Sequence, residues 1–445
     1  MFAIAWALMV VNHLDRQVVV SMFPHLKAQW DLSDRQLGGL VSIVAIVVAL
    51  GAVPLSLLAD RWGRAKGIVL MGLLWSAATI ACAWAGSYAQ LLALRGVVGF
   101  GEAAFGSAGA ALLAGLFPAR MRSTVLGAFL AAAVAGSLLG VVLGGVITQR
   151  WGWPVGFAAA GVPGVVLALL FRRIARDGPE SAPAVAQDKA RGRSMTAKNV
   201  VAALLEPRTA LVACVGAGLQ LMTVSTIYAW LPSYFNRYYG LPADLAALRT
   251  GLVVLASGVG SILWSLVADR MSLRFPRARL QVPAAAAALT AILMCLAFGR
   301  MAPGAAQFGV ILAGAVAMTA SVGPIAAVVI DVVHPAVRAT AAAMVSLAQN
   351  LFGLAAGPLL AGALSDAYGL PFALSVMPLF CLLAGALFVV AARSYVRDLQ
   401  SQELCAGSVA PPPGATRVSA SRRRGSGVGH RVGRSATRGA TRDGA

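Results

Sequence analysis

Residues 10–20 read VVNHLDRQVVV, which sets His13, Asp15, Arg16 and Gln17 in the middle of an otherwise apolar stretch. A second stretch, LRGVVGFGEAAFGSAG at 94–109, carries Arg95 and Glu102. A charged side chain at the centre of a bilayer costs at least ~2.5–3.5 kcal/mol. Such groups persist only facing a bundle interior or a wet cavity, where they can pair. On helical geometry His13, Arg16 and Gln17 share a face, with Asp15 about 100° round from Arg16. Arg95, Gly99, Glu102, Gly106 and Gly109 form one stripe, its glycines suited to close helix approach. The least costly arrangement sets the two segments side by side, Asp15 near Arg95 and Glu102 near Arg16. Desolvation favours a protonated acid and a nearby arginine an ionised one, so small rearrangements can load and unload a proton on Asp15 or Glu102. The alternative is a static ion network that fixes helix register.

The elements that hold these residues are membrane spans. The chain of 445 residues is 59% hydrophobic and 12% charged, with a mean hydropathy of +0.79. That is too apolar for a soluble domain. Apolar runs near the ~20 residues a spanning helix needs recur along the chain, unlike the short alternating strands of a β-barrel. Twelve spans are expected near 2–23, 36–59, 67–86, 89–117, 123–147, 153–171, 209–232, 247–268, 280–299, 304–331, 339–363 and 371–392. The first lacks the basic n-region and cleavage site of a signal peptide. It also lacks the usual basic flank before a first span.

Three motifs recur in order. SLLADR at 56–61 returns as SLVADR at 265–270, PARMRST at 118–124 as PAVRAT at 335–340, and WGWPVGFA at 151–158 as YGLPFALS at 368–375. The expected organisation is therefore an all-α membrane protein of two similarly oriented six-helix halves, 1–171 and 209–392. A polar, basic linker at 172–208 joins them, and a Gly/Ser/Arg-rich tail at 393–445 cannot build a core. The formal charge of +20 collects in that tail and in alternate loops, a topology signal rather than a nucleic-acid footprint. Both termini are expected in the cytoplasm, in the cell (inner) membrane.

SLLADRWGRAK joins spans 2 and 3 on the expected cytoplasmic side. Asp60 can accept from backbone amides at a helix end, Arg61 and Arg64 offer charge-assisted bonds, and Gly63 permits a tight turn. Such a latch would hold one conformation closed. The pattern resembles the loop 2–3 signature of the major facilitator superfamily, with Ser56 where a Gly usually stands and a degenerate echo at Asp269 and Arg270. NHLDRQVVVSMFPHLKAQWDLSDRQLGGL, RGVVGFGEAAF, LFPARMRS and NLFGLAAGPLLAGALSD are similar to the spinster-like branch of that superfamily. The organic-anion symporters share the D-R and R…GEA features and are next nearest. GSLLGVVLGG at 136–145 departs from the drug–proton antiporter motif, with Val141 where the proline belongs.

The resemblance implies a secondary transporter of amphiphilic lipids or of organic anions, coupled to protons through Asp15 and Glu102. Arg16 and Arg95 would be their partners or anion contacts. In the second half, Gln220, Thr223, Tyr228, Thr319, Ser321 and Asn350 are the candidates for a central wall, and Trp230, Tyr234, Tyr238 and Tyr239 include an expected interfacial belt. The four scattered histidines and the absence of nucleophile or metal motifs exclude an enzyme reading. No cofactor is expected. The expected partners are a small-molecule substrate, protons and the bilayer, with no nucleic acid and a monomeric chain.

Overall fold

The computed structural model describes residues 1–174, 206–333 and 337–407, less the side chains at 53, 57, 59–62, 64, 114, 115, 119, 120, 122–124, 130, 339 and 402–407. The expected linker lies outside these residues except at its two ends, and the expected tail does so from 408 on; the start of that tail instead belongs to the last helix, Leu379–Gly407. Helices dominate the described chain. In the first half they are α1 (Phe2–Trp30), α2 (Asp34–Trp62), α3 (Arg64–Cys82), α4 (Tyr88–Glu102), α5 (Phe105–Leu116), α6 (Ala119–Trp151) and α7 (Trp153–Ile174). In the second they are α8 (Arg208–Tyr239), α9 (Ala243–Ser272), α10 (Ala278–Arg300), α11 (Ala305–Met318), α12 (Val322–Asp331), α13 (Arg338–Ala348), α14 (Ala356–Tyr368), α15 (Leu370–Val376) and α16 (Leu379–Gly407). A π-helical turn, Gln349–Ala355, joins α13 to α14.

Merging α4 with α5, α11 with α12, α13 with α14, and α15 with α16 gives the twelve spans. Among the described residues, eleven stretches are long and apolar enough to cross a membrane. The twelfth, α1, has 29 residues; its polar run Asn12–Gln17 lowers its hydropathy. The stripe expected along span 4 is interrupted, because α4 ends at Glu102 and α5 starts at Phe105. Gly99 still does the expected work, since a Cβ there would meet the Val44 carbonyl oxygen at 2.8 Å, whereas Gly106 has open space around it.

The glycines of α6 decide where α1 sits. Gly136, Gly140 and Gly144 recur every four residues and face α1 backbone. A Cβ would lie 2.5 Å from the Leu14 carbonyl oxygen at Gly140 and 2.9 Å from that of Val18 at Gly144. This small-xxx-small face brings two helices together where no hydrophobic force does so in lipid. GSLLGVVLGG is thus a packing surface here. The repeat also survives in backbone detail: Gly152 (φ 82, ψ 163) and Gly369 (φ 89, ψ 155) make the same turn in matching motifs, in a region of φ that favours glycine.

The halves meet where α2 lies against α14 and the π turn, α6 against α9, and α1 against α8. Toward the end bearing the α1–α2 connection, one apolar cluster spans both halves. Phe23 of α1 packs at a tilt against Trp230 of α8 with ring centroids 5.4 Å apart. This corrects the expected interfacial belt: Trp230 and Tyr234 are buried between helices, and Tyr238 is exposed. The bundle is drawn closed at that end by aromatic packing.

Candidate functional site: a paired charge centre in the first half

The middle of α1 faces α4, and the charges meet in the expected pairs. Arg95 Nη1 lies 3.3 Å from Asp15 Oδ1, with both side chains 1% exposed. Arg95 also donates to the Asp15 carbonyl at 3.4 Å and to Leu40 O at 3.5 Å. Thr79 of α3 donates to the other Asp15 oxygen at 2.6 Å. Thr79 carried no signal in the sequence, being one hydroxyl in an apolar span.

The second pair is asymmetric. Arg16 Nε donates to Glu102 Oε2 at 2.6 Å; the arginine side chain is 21% exposed and the glutamate side chain fully buried. Glu102 Oε1 has no protein partner, and neither has Gln17 Oε1 on the same turn as Arg16. A buried carboxylate oxygen left unpaired is costly as an anion and far less so as a neutral acid. Arg16 is the one member of the two ion pairs whose side chain is partly exposed. His13 turns back onto α1, its Nδ1 donating to Met9 O at 3.1 Å.

The second-half candidates fare differently. Gln220 Nε2 donates to Met318 O at 3.0 Å, and Thr223 Oγ1 to Met377 O at 3.2 Å; both residues are buried. Thr319 Oγ1 donates to Ser257 O at 2.6 Å, and Ser321 is buried beside it. Gln220, Thr223 and Thr319 thus tie spans of one half to one another, though Gln220 Oε1 keeps no partner among the described residues. Tyr228 is half-buried, with its hydroxyl on Ser257 Oγ. Asn350, on the π turn, donates to Ser346 O at 2.9 Å and leaves Oδ1 unpartnered.

Of the expected latch, the side chains of Asp60, Arg61 and Arg64 lie outside the described residues. Gly63 turns the chain between α2 and α3 with φ 97. Ser56 hydrogen-bonds Ser107 of α5 at 3.0 Å. In the echo, Asp269 faces Arg279 at 3.7 Å, and Arg279 binds Asp331 at 2.5 Å; Arg270 is exposed. The sequence analysis singles out no role for Asp34, which gathers Lys27 and Arg237 about it at the opposite end.

A sequence profile described as Major Facilitator Superfamily matches residues 5–356. The chain belongs to the major facilitator superfamily. It is 25% identical over 376 residues to protein spinster of Drosophila melanogaster, covering 80% of this chain and 60% of that protein. It is 25% identical over 445 residues to the sphingosine-1-phosphate transporter of Mus musculus, covering 92% and 80%. A niacin transporter of Acinetobacter baylyi matches at 30% identity over 170 residues, 38% of each chain. Among solved structures, a bacterial homolog of the human lysosomal transporter spinster, inward-facing and occupied, superposes with a TM-score of 0.78 at 20% identity, covering 89% of this chain and 97% of that one. A D-xylose–proton symporter superposes at 0.70 with 18% identity, covering 87% and 96%. The chain is a multi-pass membrane transporter and not an enzyme, and it is similar to spinster-like proteins.

Proposed function

We propose that this transporter couples proton movement to the passage of an amphiphilic or anionic small molecule by alternating access. The observation that carries the reading is Glu102: fully buried, one oxygen on Arg16, the other unpartnered. A proton on Glu102 weakens its hold on Arg16, whose side chain is already partly exposed and can then take an anionic head group. Loss of the proton restores the pair and releases the ligand. Asp15 and Arg95 would act as the deeper, coupled pair. The similarity to spinster-like proteins and to a sphingosine-1-phosphate transporter supports a lysolipid-like cargo.

On the positive-inside rule the aromatic-sealed end faces outward, the termini lie in the cytoplasm, and the conformation is closed to the outside. The test is uptake into proteoliposomes of lysolipids and of small carboxylates, with and without an imposed pH gradient. Uptake indifferent to the gradient would make the chain a facilitator and defeat the coupling. A second reading, proton-linked transport of a small carboxylate, is favoured by the match to the niacin transporter; the same screen separates the two.

A further inference from the structure

The outward end carries a set of ionic contacts that the central site does not use. Asp34, the first residue of α2, is buried and accepts from three side chains. Lys27 of its own half donates at 2.6 Å, Arg237 of α8 donates through both terminal nitrogens at 2.7 Å, and Ser365 of α14 donates at 2.5 Å. The reverse contact exists as well. Asp366 of α14 spreads its two oxygens over the first two amides of α2, taking Asp34 N at 2.7 Å and Arg35 N at 2.8 Å. Ser33 and Gln36 already form a capping box at that helix start. Asp366 thus supplies from the other half a cap for the donors the box leaves over, where the helix dipole also favours an anion.

Each half therefore presents one carboxylate to a positive partner on the other. Small residues let the two backbones come close enough. A Cβ on Gly362 would lie 2.8 Å from the Asp34 carbonyl carbon, and one on Gly38 would lie 2.8 Å from that of Pro358. Opening this end requires separating α2 from α14 and α8, which breaks five of these six hydrogen bonds. Lys27 alone stays with Asp34.

We infer that Asp34 and Asp366 are the reciprocal latch of the outward gate, with Arg237 and the α2 amides as their partners and Gly38 and Gly362 as the seats that let it close. The inference rests on the alternating-access reading but not on proton coupling or cargo.

The experiment is a spin-label distance measurement on the full chain in lipid nanodiscs. Labels go at Ala89 and Ala302, exposed positions at the outward end of the two halves, after the native cysteines are replaced. The unaltered gate should give mostly the short distance. Asp34→Asn and Asp366→Asn should each raise the long-distance population about tenfold, and Gly362→Ala should do so by obstruction. Exchanging the pair, Asp34→Arg with Arg237→Asp, should restore the short distance. An unchanged distribution in both carboxylate variants overturns the latch. So does an equal shift in Arg300→Gln, an exposed charge at the same end outside the cluster. Vesicle uptake is read separately: a latch that opens as expected in a chain that moves no substrate would fault the transport reading and leave the gate assignment standing.

Discussion

The two halves of this transporter repeat each other in helix order and even in the turns at Gly152 and Gly369, yet they bury different chemistry at their centres. Asp15, Arg95 and Glu102 are enclosed between α1 and α4. At the corresponding positions of the repeat, α8 and α11 present amides and hydroxyls. Gln220, Thr223 and Thr319 each donate to a backbone carbonyl of a neighbouring span. A neutral dipole spent on a carbonyl stabilises one packing arrangement and has no proton to exchange near neutral pH. A buried ion pair stays costly in every arrangement, and its cost changes with protonation. Duplication copied the scaffold, and the halves then diverged in which of them can respond to charge.

The largest effect that sharpens this contrast is on stability. Arg95→Leu leaves Asp15 buried without its cation, which should cost ~3–5 kcal/mol. The double variant with Asp15→Leu should recover most of that, because no lone charge remains. Thermal unfolding in detergent measures both; equal losses in the single and double variants would mean that the two residues do not act as a pair. On transport, Glu102→Gln should abolish uptake driven by a pH gradient, a loss of at least about tenfold, equivalent to ~1.4 kcal/mol. Exchange at equal concentrations should survive, and Asp15→Asn should show a related, milder defect. If both neutral variants still concentrate substrate on a pH gradient alone, the first half's charges are structural pins and the asymmetry has no bearing on coupling.

A smaller effect concerns the gates. If Asp60 holds the cytoplasmic end closed in the outward-open state, Asp60→Asn removes a charge-assisted bond worth ~1.5–3 kcal/mol and shifts the population inward. Turnover should fall more than apparent affinity. Distances across the cytoplasmic face that do not change would remove Asp60 from the gate.

The sequence revealed the first half's centre more readily than anything else in the molecule. Four charges in two apolar spans leave few ways to satisfy one another, and helical spacing then fixes who meets whom. The span count and the two-half organisation were legible for a similar reason, since length and repetition are properties of the chain itself. The Asp34 cluster was not. Its partners lie 203 and 332 positions away, and a charge near the end of a span looks the same whether it faces water or the opposite half. Thr223 and Gln220 misled because a hydroxyl or amide in a span can line a cavity or tie down a backbone carbonyl, and residue type alone does not choose. Trp230 and Tyr234 read as interface anchors from composition, but Phe23 of α1 covers the first, and Phe298 of α10 with Gln307 of α11 the second, which makes them core.

The finest test uses one substitution in both halves. Thr79→Val and Thr223→Val each delete a buried hydroxyl while nearly keeping its shape. Thr79 donates to Asp15 Oδ2 at 2.6 Å, so its loss takes a donor from a buried carboxylate and should cost ~1.5–3 kcal/mol. Thr223 donates to Met377 O at 3.2 Å, but that carbonyl also accepts from Phe380 N at 3.2 Å. It keeps a partner when the hydroxyl goes, and the loss should stay near ~0.5–1 kcal/mol. Function should diverge in the same direction. Thr79→Val shifts the balance between Asp15 and its proton, so uptake driven by a pH gradient should change with external pH differently from the unaltered protein. Thr223→Val should leave that dependence where it was. Unfolding midpoints and uptake at several external pH values measure the two effects side by side. Equal costs and unaltered pH dependence in both variants would mean that the halves differ in composition but not in what their centres do.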